Sequence, residues 1–443
     1  MKCLILAAGK GSRLRNKGDS KPLLPVLGVP IIERVIRTAM QGGAEDFYIV
    51  TGNQKEKVTS FLNVLSKRLN VSIKTVENNE WANSENGTSI YKAKNYLTEP
   101  FLLLMSDHLF DPSIVKQLIA SDLGEGEITL AVDENITNPI IDFEDVTRVR
   151  YDDGKIQNIG KELSSYNAFD TGIFYCTPAI FDALEKSSEE GDTSLSGAVR
   201  ILAKNGKANV LGINGSFWID IDDEKSLKKA EDALISQLRN KPNDGPVSRY
   251  LNRPLSIRIS KLLVRFPITP NVISALSFLL SLFAAGLFAF GKNYVSLLIG
   301  GLITQLASVI DGCDGEIARL KFMRSKYGGW FDAVLDRYAD AFLLFGLTWH
   351  EYMINNGNLI LIIGFMAIIG SFMLSYTADK YDNLMNERIA SGGTWQIRIG
   401  RDVRLFIILI GAVLNQIFIL LVIIAVVMNL ETVRRIIVCK SDE

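Results

Sequence analysis

Asp311-Gly-Cys-Asp-Gly-Glu-Ile-Ala-Arg319, followed eight residues later by Gly328-Gly-Trp-Phe-Asp-Ala-Val-Leu-Asp336, adjoins two apolar runs, 294–310 before it and 330–349 overlapping its end. Both runs are apolar enough to be membrane spans. The four aspartates are spaced three and four residues apart, so on helices each pair shares a face. Each carboxylate in a membrane helix costs about 2.5–3.5 kcal/mol. Because clustered carboxylates favour hard divalent cations such as Mg²⁺ or Mn²⁺, the pattern predicts a metal site.

A simpler alternative is that these aspartates are helix-end acids in salt bridges. The candidate partners are Arg319, Arg324 and Arg337. Salt bridges do not require this spacing, so the pattern favours the metal site.

The same residues fill every position of the pattern D-x-x-D-G-x-x-A-R, eight residues, G-x-x-x-D-x-x-x-D, and the stretch therefore resembles the CDP-alcohol phosphotransferases. The resemblance implies an all-α, six-helix transmembrane enzyme that moves a phospho-alcohol from a CDP-alcohol to a second alcohol and releases CMP. It also implies two bound metal ions, with Asp336 closing the metal site and acting as general base. The implied metal ligands are Asp311, Asp314, Asp332 and Asp336, and the implied contacts to the cytidine diphosphate are Gly315, Ala318 and Arg319.

Composition divides the chain of 443 residues into two parts. Residues 1–240 mix charged and apolar side chains, whereas residues 270–430 are largely apolar. The net charge of −1 provides no basic field for nucleic acid. The four cysteines are scattered without metal-ligand spacing, and the first residues predict a buried strand rather than a signal peptide.

Short apolar runs alternate with helical patterns in the first part, which predicts a Rossmann-like α/β fold with a mostly parallel sheet. The predicted strands are 3–7, 47–51, 71–76, 101–105 and 128–132. The predicted helices are 31–41, 55–69, 89–97 and 112–121. Ligands of such sheets bind at the carboxyl ends of the strands.

The first predicted strand ends in Leu6-Ala-Ala-Gly-Lys-Gly-Ser-Arg-Leu14, and Lys21-Pro-Leu follows. Together they resemble the sugar-phosphate nucleotidyltransferases, over about residues 1–235. The resemblance implies attack by a phosphate monoester on a nucleoside triphosphate, with Arg13 and Lys21 steadying the phosphates. The implied nucleotide contacts are Leu6, Ala7, Ala8, Gly9, Gly11 and Ser12, together with Asn86 and Gly87 near the base.

Two aspartates follow later predicted strands in the manner of this family. The resemblance implies that Asp107 and Asp220 hold one Mg²⁺, although Asp222 remains an alternative to Asp220. Lys161 lies roughly where the family contacts the acceptor's phosphate. Taken singly, Asp107 could instead be a helix-capping acid and Lys21 a solvated lysine. His108 is interpreted as a neighbour of the metal ligand and not as a base.

The composition of residues 236–246 indicates a linker, and 247–268 predicts a basic amphipathic helix at the membrane surface. Predicted spans in the membrane domain, 269–443, are 272–290, 294–310, 330–349 and 358–377. The run 403–430 is long for one helix and short for two. Lys and Arg cluster on alternate loops, so the positive-inside rule requires an even number of spans. We therefore split this run near Asn415 and expect six spans, with the catalytic domain and both termini cytoplasmic.

The basic residues after the fourth span have two interpretations. They either set the membrane topology or bind the phosphate of an acceptor; these residues are Arg388, Arg398, Arg401 and Arg404. A homodimer is implied by resemblance to the membrane family only.

The fusion of the two halves limits the reaction. If both halves are active, the first half should use CTP, because its product would then be the CDP-alcohol that the second half takes as donor. This pairing resembles the bifunctional enzymes that make di-myo-inositol phosphate phosphate from CTP and inositol 1-phosphate through CDP-inositol. The alternatives are another alcohol, a lipid acceptor, or a first half that is an inactive nucleotide-binding cap.

Overall fold

The computed structural model describes residues 1–11, 13–14, 18, 20–239, 244–391 and 400–440, with the side chains of 379–391 and 438–440 left out. The chain forms two compact units, Met1–Ala233 and Leu234–Glu443.

Unit 1 is an α/β unit whose strands and helices alternate over its first half. The strands are β1 Lys2–Ala7, β2 Pro25–Val26, β3 Val29–Pro30, β4 Asp46–Thr51, β5 Ser72–Glu77, β6 Phe101–Met105, β7 His108–Phe110, β8 Ile128–Asp133, β9 Arg148–Asp152, β10 Lys155–Gly160, β11 Ala168–Cys176, β12 Ala208–Gly212 and β13 Trp218–Asp220. The helices are α1 Ile31–Gly42, α2 Lys55–Leu69, α3 Asn86–Tyr91, α4 Pro112–Ala120, α5 Ala179–Glu189, α6 Leu195–Lys204 and α7 Glu224–Ser236.

Nine of the described strands form one sheet in the order β5-β4-β1-β6-β11-β8-β12-β10-β9. The pairs β5–β4, β4–β1, β1–β6 and β8–β12 are parallel. The pairs β6–β11, β11–β8, β12–β10 and β10–β9 are antiparallel. The prediction of a mostly parallel sheet is therefore wrong, and the sheet is mixed. One antiparallel pair has a local cause: β9 and β10 are joined by a tight turn at Asp153 and Gly154, both at positive φ, rather than by a helix.

The parallel part of the sheet brings the ends of β1 and β6 to one edge. Leu6 is paired with Met105, and the Ser106 amide donates to the Leu6 carbonyl at 3.1 Å. The segments that follow the two strands therefore lie side by side. Shortly after β6, the strand β7 pairs antiparallel with β13, which sets Asp220 opposite His108.

Unit 2 is helical. A π-helical turn, Ser248–Asn252, leads into α8 Arg253–Leu263. The remaining helices are α9 Pro270–Phe290, α10 Tyr294–Leu320, α11 Lys326–Asn355, α12 Asn358–Ser391, α13 Arg401–Val413 and α14 Ile417–Lys440. The helix break at 414–416, with Asn415 at φ +54°, lies where the split of the last apolar run was predicted.

Four of these helices are long and apolar enough to cross a membrane within the described residues: α9, α10, the 358–378 part of α12 and the 417–437 part of α14. The 30-residue α11 carries Asp332, Asp336 and Asp340, and α13 has only 13 residues. The unit is thus a helical domain with four candidate membrane spans.

Glycines allow close helix packing in unit 2. A Cβ on Gly346 of α11 would lie 2.5 Å from the Ala285 carbonyl oxygen of α9, and a Cβ on Gly301 would lie 2.8 Å from Ala412 Cβ. Small residues of this kind let helix backbones approach closely where lipid supplies no hydrophobic driving force.

We expect Gly346→Ala to destabilise unit 2 by about 1–3 kcal/mol, because a backbone atom cannot move aside as a side chain can. Thermal unfolding of the full chain in detergent measures this effect. Gly286→Ala is the matched control, since a Cβ there meets no described atom within 4 Å. Equal unfolding midpoints for the two variants would contradict the proposed packing constraint.

Candidate active sites

The loop after β1 forms one wall of a cavity of about 780 Å³ in unit 1. Leu6, Ala8, Gly9 and Arg13 line this cavity. Gly11 lies at φ +57°, and a Cβ on it would lie 2.6 Å from Lys21 Cβ. Gly11 thus allows the loop to pass over the lysine. Ala7 is a buried strand residue, and Ser12 lies outside the described residues.

Lys21 lies at the centre of the acidic wall of this cavity. Its ammonium donates to Asp107 Oδ2 and to Asp222 Oδ1, both at 2.6 Å, and its side chain is 11% exposed. Burial would lower the pKa of Lys21, but the charges of Asp107, Asp220 and Asp222 outweigh burial and raise its pKa above the ordinary value. The lysine therefore stays a cation where phosphates would approach.

Asp107, His108 and Asp220 present ligand atoms that all lie within 4.8 Å of one another. Oδ1 of Asp220 is buried and has no hydrogen-bond partner among the described residues. Burial raises the pKa of Asp220 to about 7 despite the opposing charge of His108. A buried carboxylate oxygen without a hydrogen-bond partner, next to a second carboxylate, fits a divalent cation. Asp222 also accepts from Lys21 but is not part of this cluster of ligand atoms, so the geometry favours Asp220 over Asp222 as the metal ligand.

His108 contributes more to this cluster than its sequence context indicated. Its Nδ1 lies 2.9 Å from Asp107 Oδ1 and 3.6 Å from Asp220 Oδ1, and its ring stacks on Trp218 at 6.3 Å. Burial would lower the pKa of His108, but the two acids raise it to about 9. The pairing of β7 with β13 sets Asp220 opposite His108, which adds the imidazole to the two aspartates that the family resemblance had placed on one metal.

Asp145 bridges Arg13 and Lys161, the two cations that were predicted to bind the substrates' phosphates. It accepts hydrogen bonds from both Arg13 and Lys161, and all three residues line the cavity. The hydrogen bonds from Lys161 and then Arg13 hold the pKa of Asp145 well below its usual range. Sequence reasoning missed Asp145, because it is contributed by a loop between β8 and β9.

The predicted base contacts have different positions. Asn86 lines the cavity, although its Oδ1 already accepts from the Leu195 amide at 2.9 Å. Gly87 is buried, and a Cβ on it would lie 2.3 Å from the Thr193 carbonyl oxygen. Gly87 therefore serves the packing of α3 in this structure.

Unit 2 has its own acidic cluster. Carboxylate oxygens of Asp311, Asp332 and Asp336 lie within 4.8 Å of one another, and Asp332 Oδ1 is buried without a partner among the described residues. These features fit divalent-cation binding. Asp314 is not in this trio. Its Oδ2 accepts from Ser274 Oγ of α9 at 2.6 Å.

The cation paired with this cluster comes from α13. Arg401 Nη1 lies 2.6 Å from Asp336 Oδ1 and 3.0 Å from Asp311 Oδ2. This pairing differs from the alternative of salt bridges to nearby arginines, since Arg401 follows the acids by more than sixty residues. Arg398, the other predicted phosphate-binding arginine, lies outside the described residues.

Ala318 and Arg319 lie one helical turn after Gly315 on α10. An added Cβ on Gly315 would meet Arg319 Nη1 at 3.6 Å. Arg319 Nη2 is buried without a hydrogen-bond partner among the described residues. It is thus a donor available to an anionic ligand such as a diphosphate.

Two family models match separate parts of the chain. Residues 3–192 match the MobA-like NTP transferase domain, and residues 267–434 match the CDP-alcohol phosphatidyltransferase family. The solved inositol-1-phosphate CTP transferase from T. maritima is 28% identical, with a TM-score of 0.48, and the match covers 52% of this chain and 93% of that chain.

Two similar relatives are full-length matches. The bifunctional IPC transferase and DIPP synthase of Rubrobacter xylanophilus is 35% identical, and the match covers 98% of this chain and 96% of the relative. The protein of the same name from Aquifex aeolicus is 34% identical, over 97% of this chain and 96% of the relative. The chain therefore belongs to the family of bifunctional IPC transferases and DIPP synthases.

Proposed function

We propose that unit 1 makes CDP-inositol from CTP and inositol 1-phosphate, and that unit 2 transfers phospho-inositol from CDP-inositol to a second inositol 1-phosphate. The products are pyrophosphate, CMP and di-myo-inositol phosphate phosphate. The full-length match to two-activity relatives carries this proposal, because it covers both sites in one chain.

In unit 1, a phosphate oxygen of inositol 1-phosphate attacks the α-phosphorus of CTP, and the bond to the leaving pyrophosphate breaks. Arg13 and Lys21 offset the charge of the triphosphate, and Lys161 holds the phosphate of the acceptor. Asp107 and Asp220 would hold Mg²⁺, which supplies charge neutralisation for the leaving group. No covalent enzyme intermediate is required, because positioning and electrostatics suffice.

In unit 2, Asp336 takes the proton of an acceptor hydroxyl, and the alcohol oxygen attacks the phosphorus that bears inositol in CDP-inositol. The bond to CMP breaks, and Arg319 with the small residues Gly315 and Ala318 holds the diphosphate. Asp311, Asp314, Asp332 and Asp336 would hold two divalent cations, Mg²⁺ or Mn²⁺, which neutralise the diphosphate. Arg401 supplies positive charge for the phosphate of the acceptor.

We further propose that all six helices α9 to α14 span the membrane, with the catalytic domain and both termini cytoplasmic. The break at Asn415 and the alternation of basic loops support this topology. Three further points remain predictions: the contacts with lipid, the homodimer and the domain limits. The predicted limits are 1–235, 236–246, 247–268 and 269–443.

The overall reaction is tested with the purified full chain, CTP, inositol 1-phosphate and Mg²⁺. We expect pyrophosphate and CMP in equal amounts, and a product whose mass is that of two inositols joined by one phosphate and bearing a second. Pyrophosphate without CMP, or neither product, would refute the two-step reaction.

Asp107→Asn should slow pyrophosphate release by about 100-fold or more, because it removes a charge that holds the metal and Lys21. Asp220→Asn should have an effect of similar size, and Asp222→Asn a smaller one. Transfer from supplied CDP-inositol is the internal control and should continue in all three variants. If Asp222→Asn slowed pyrophosphate release more than Asp220→Asn, Asp222 would replace Asp220 as the assigned metal ligand.

Asp336→Asn should slow CMP release from supplied CDP-inositol by about 100-fold or more, the range for loss of a general base. Pyrophosphate release from CTP should be unchanged in the same preparation. Unchanged transfer would remove Asp336 from the mechanism.

A further inference from the structure

Asp340 lies one helical turn beyond Asp336 on α11 and outside the aspartate pattern of the sequence. It continues the face that carries Asp332 and Asp336. The residue is 4% exposed. A carboxylate so buried requires partners, because an unpaired buried charge is costly.

The partners of Asp340 come from two other helices. Its Oδ1 accepts from Arg401 Nε at 3.2 Å, and its Oδ2 accepts from Arg404 Nη2 at 2.8 Å. Ser371 Oγ of α12 donates to the same Oδ2 at 3.2 Å. One carboxylate thus holds two arginines that lie three residues apart on α13.

Each arginine has donors that Asp340 does not occupy. Arg401 Nη1 reaches the predicted base Asp336 at 2.6 Å. Arg404 Nε is buried and has no hydrogen-bond partner in the described part of the chain, and its side chain is 6% exposed. A buried guanidinium donor without a partner favours an anionic ligand.

We propose that Asp340 is a positioning residue that holds Arg401 and Arg404 as the subsite for the phosphate of the acceptor. The proposal rests on the proposed function, in which the acceptor is a phosphorylated alcohol. Asp340 accepts the hydrogen bond from Arg401 Nε. The guanidinium is therefore held from a second side and not only by Asp311 and Asp336. An acceptor phosphate on these arginines lies beside the base, which orients the acceptor's hydroxyl for deprotonation.

The test uses the purified full chain in detergent, with CDP-inositol supplied as donor. Asp340→Asn should raise the KM for inositol 1-phosphate by about tenfold, as expected for loss of a charge-assisted hydrogen bond, and should leave the KM for CDP-inositol within about twofold. Inhibition by inorganic phosphate, competitive with inositol 1-phosphate, should weaken by a similar factor. Transfer to unphosphorylated myo-inositol should not change.

Asp402→Asn is the matched control, because Asp402 adjoins Arg401 in sequence but accepts from the Ser248 amide at 2.8 Å. It should leave all four measurements unchanged. Ser371→Ala removes one hydrogen bond to Asp340 and should shift the acceptor KM in the same direction by a smaller factor, which keeps the test available if Asp340→Asn does not fold.

Equal changes in both KM values, or unaltered phosphate inhibition in Asp340→Asn or Ser371→Ala, would overturn the proposal. Its failure is distinguishable from failure of the proposed function, since the unsubstituted chain would then still transfer phospho-inositol to inositol 1-phosphate. If the unsubstituted chain transfers to no phosphorylated acceptor, the proposed function fails and this inference fails with it.

Discussion

The helical unit depends on the neutralisation of carboxylates packed between its helices. Five aspartates of α10 and α11 lie at this site, from Asp311 to Asp340, and the guanidinium groups paired with them are Arg401 and Arg404 of α13 in the described part of the chain. Fully ionised, this set has more negative than positive charge. Two divalent cations would reverse the balance and favour a diphosphate and a phosphorylated acceptor. The same ion pairs join α13 to α11, so in the proposed mechanism one set of charges serves both helix packing and catalysis.

Unit 1 uses the same electrostatic principle on a smaller scale. Lys21 is buried among Asp107, Asp220 and Asp222, and Asp145 keeps Arg13 and Lys161 together at the cavity. Each cation is paired before any phosphate arrives. For the buried Lys21, substrate binding would exchange one anionic partner for another, so that the ammonium is never buried without a partner.

Local patterns predicted the residues whose spacing is set by one helix or one strand and its turn. The aspartates of α10 and α11, the loop after β1 and the helix break at Asn415 are of this kind. The antiparallel strands between Arg148 and Cys176 were missed, because the β9–β10 hairpin and the antiparallel strand β11 replace the expected strand-helix alternation. Asp145 and His108, which line the cavity of unit 1, and Asp340 of the proposed phosphate subsite were also missed. Their partners are brought together by strand pairing, loop placement and helix packing that no short motif encodes.

The central claim is that the buried aspartates of α10 and α11 hold divalent cations that bind a diphosphate. Anomalous diffraction from a crystal of the full chain with Mn²⁺ and CDP-inositol tests it most directly. The account predicts manganese peaks bounded by Asp311, Asp332 and Asp336, in contact with the diphosphate. Density for the bound nucleotide with no manganese peak among these carboxylates would contradict it.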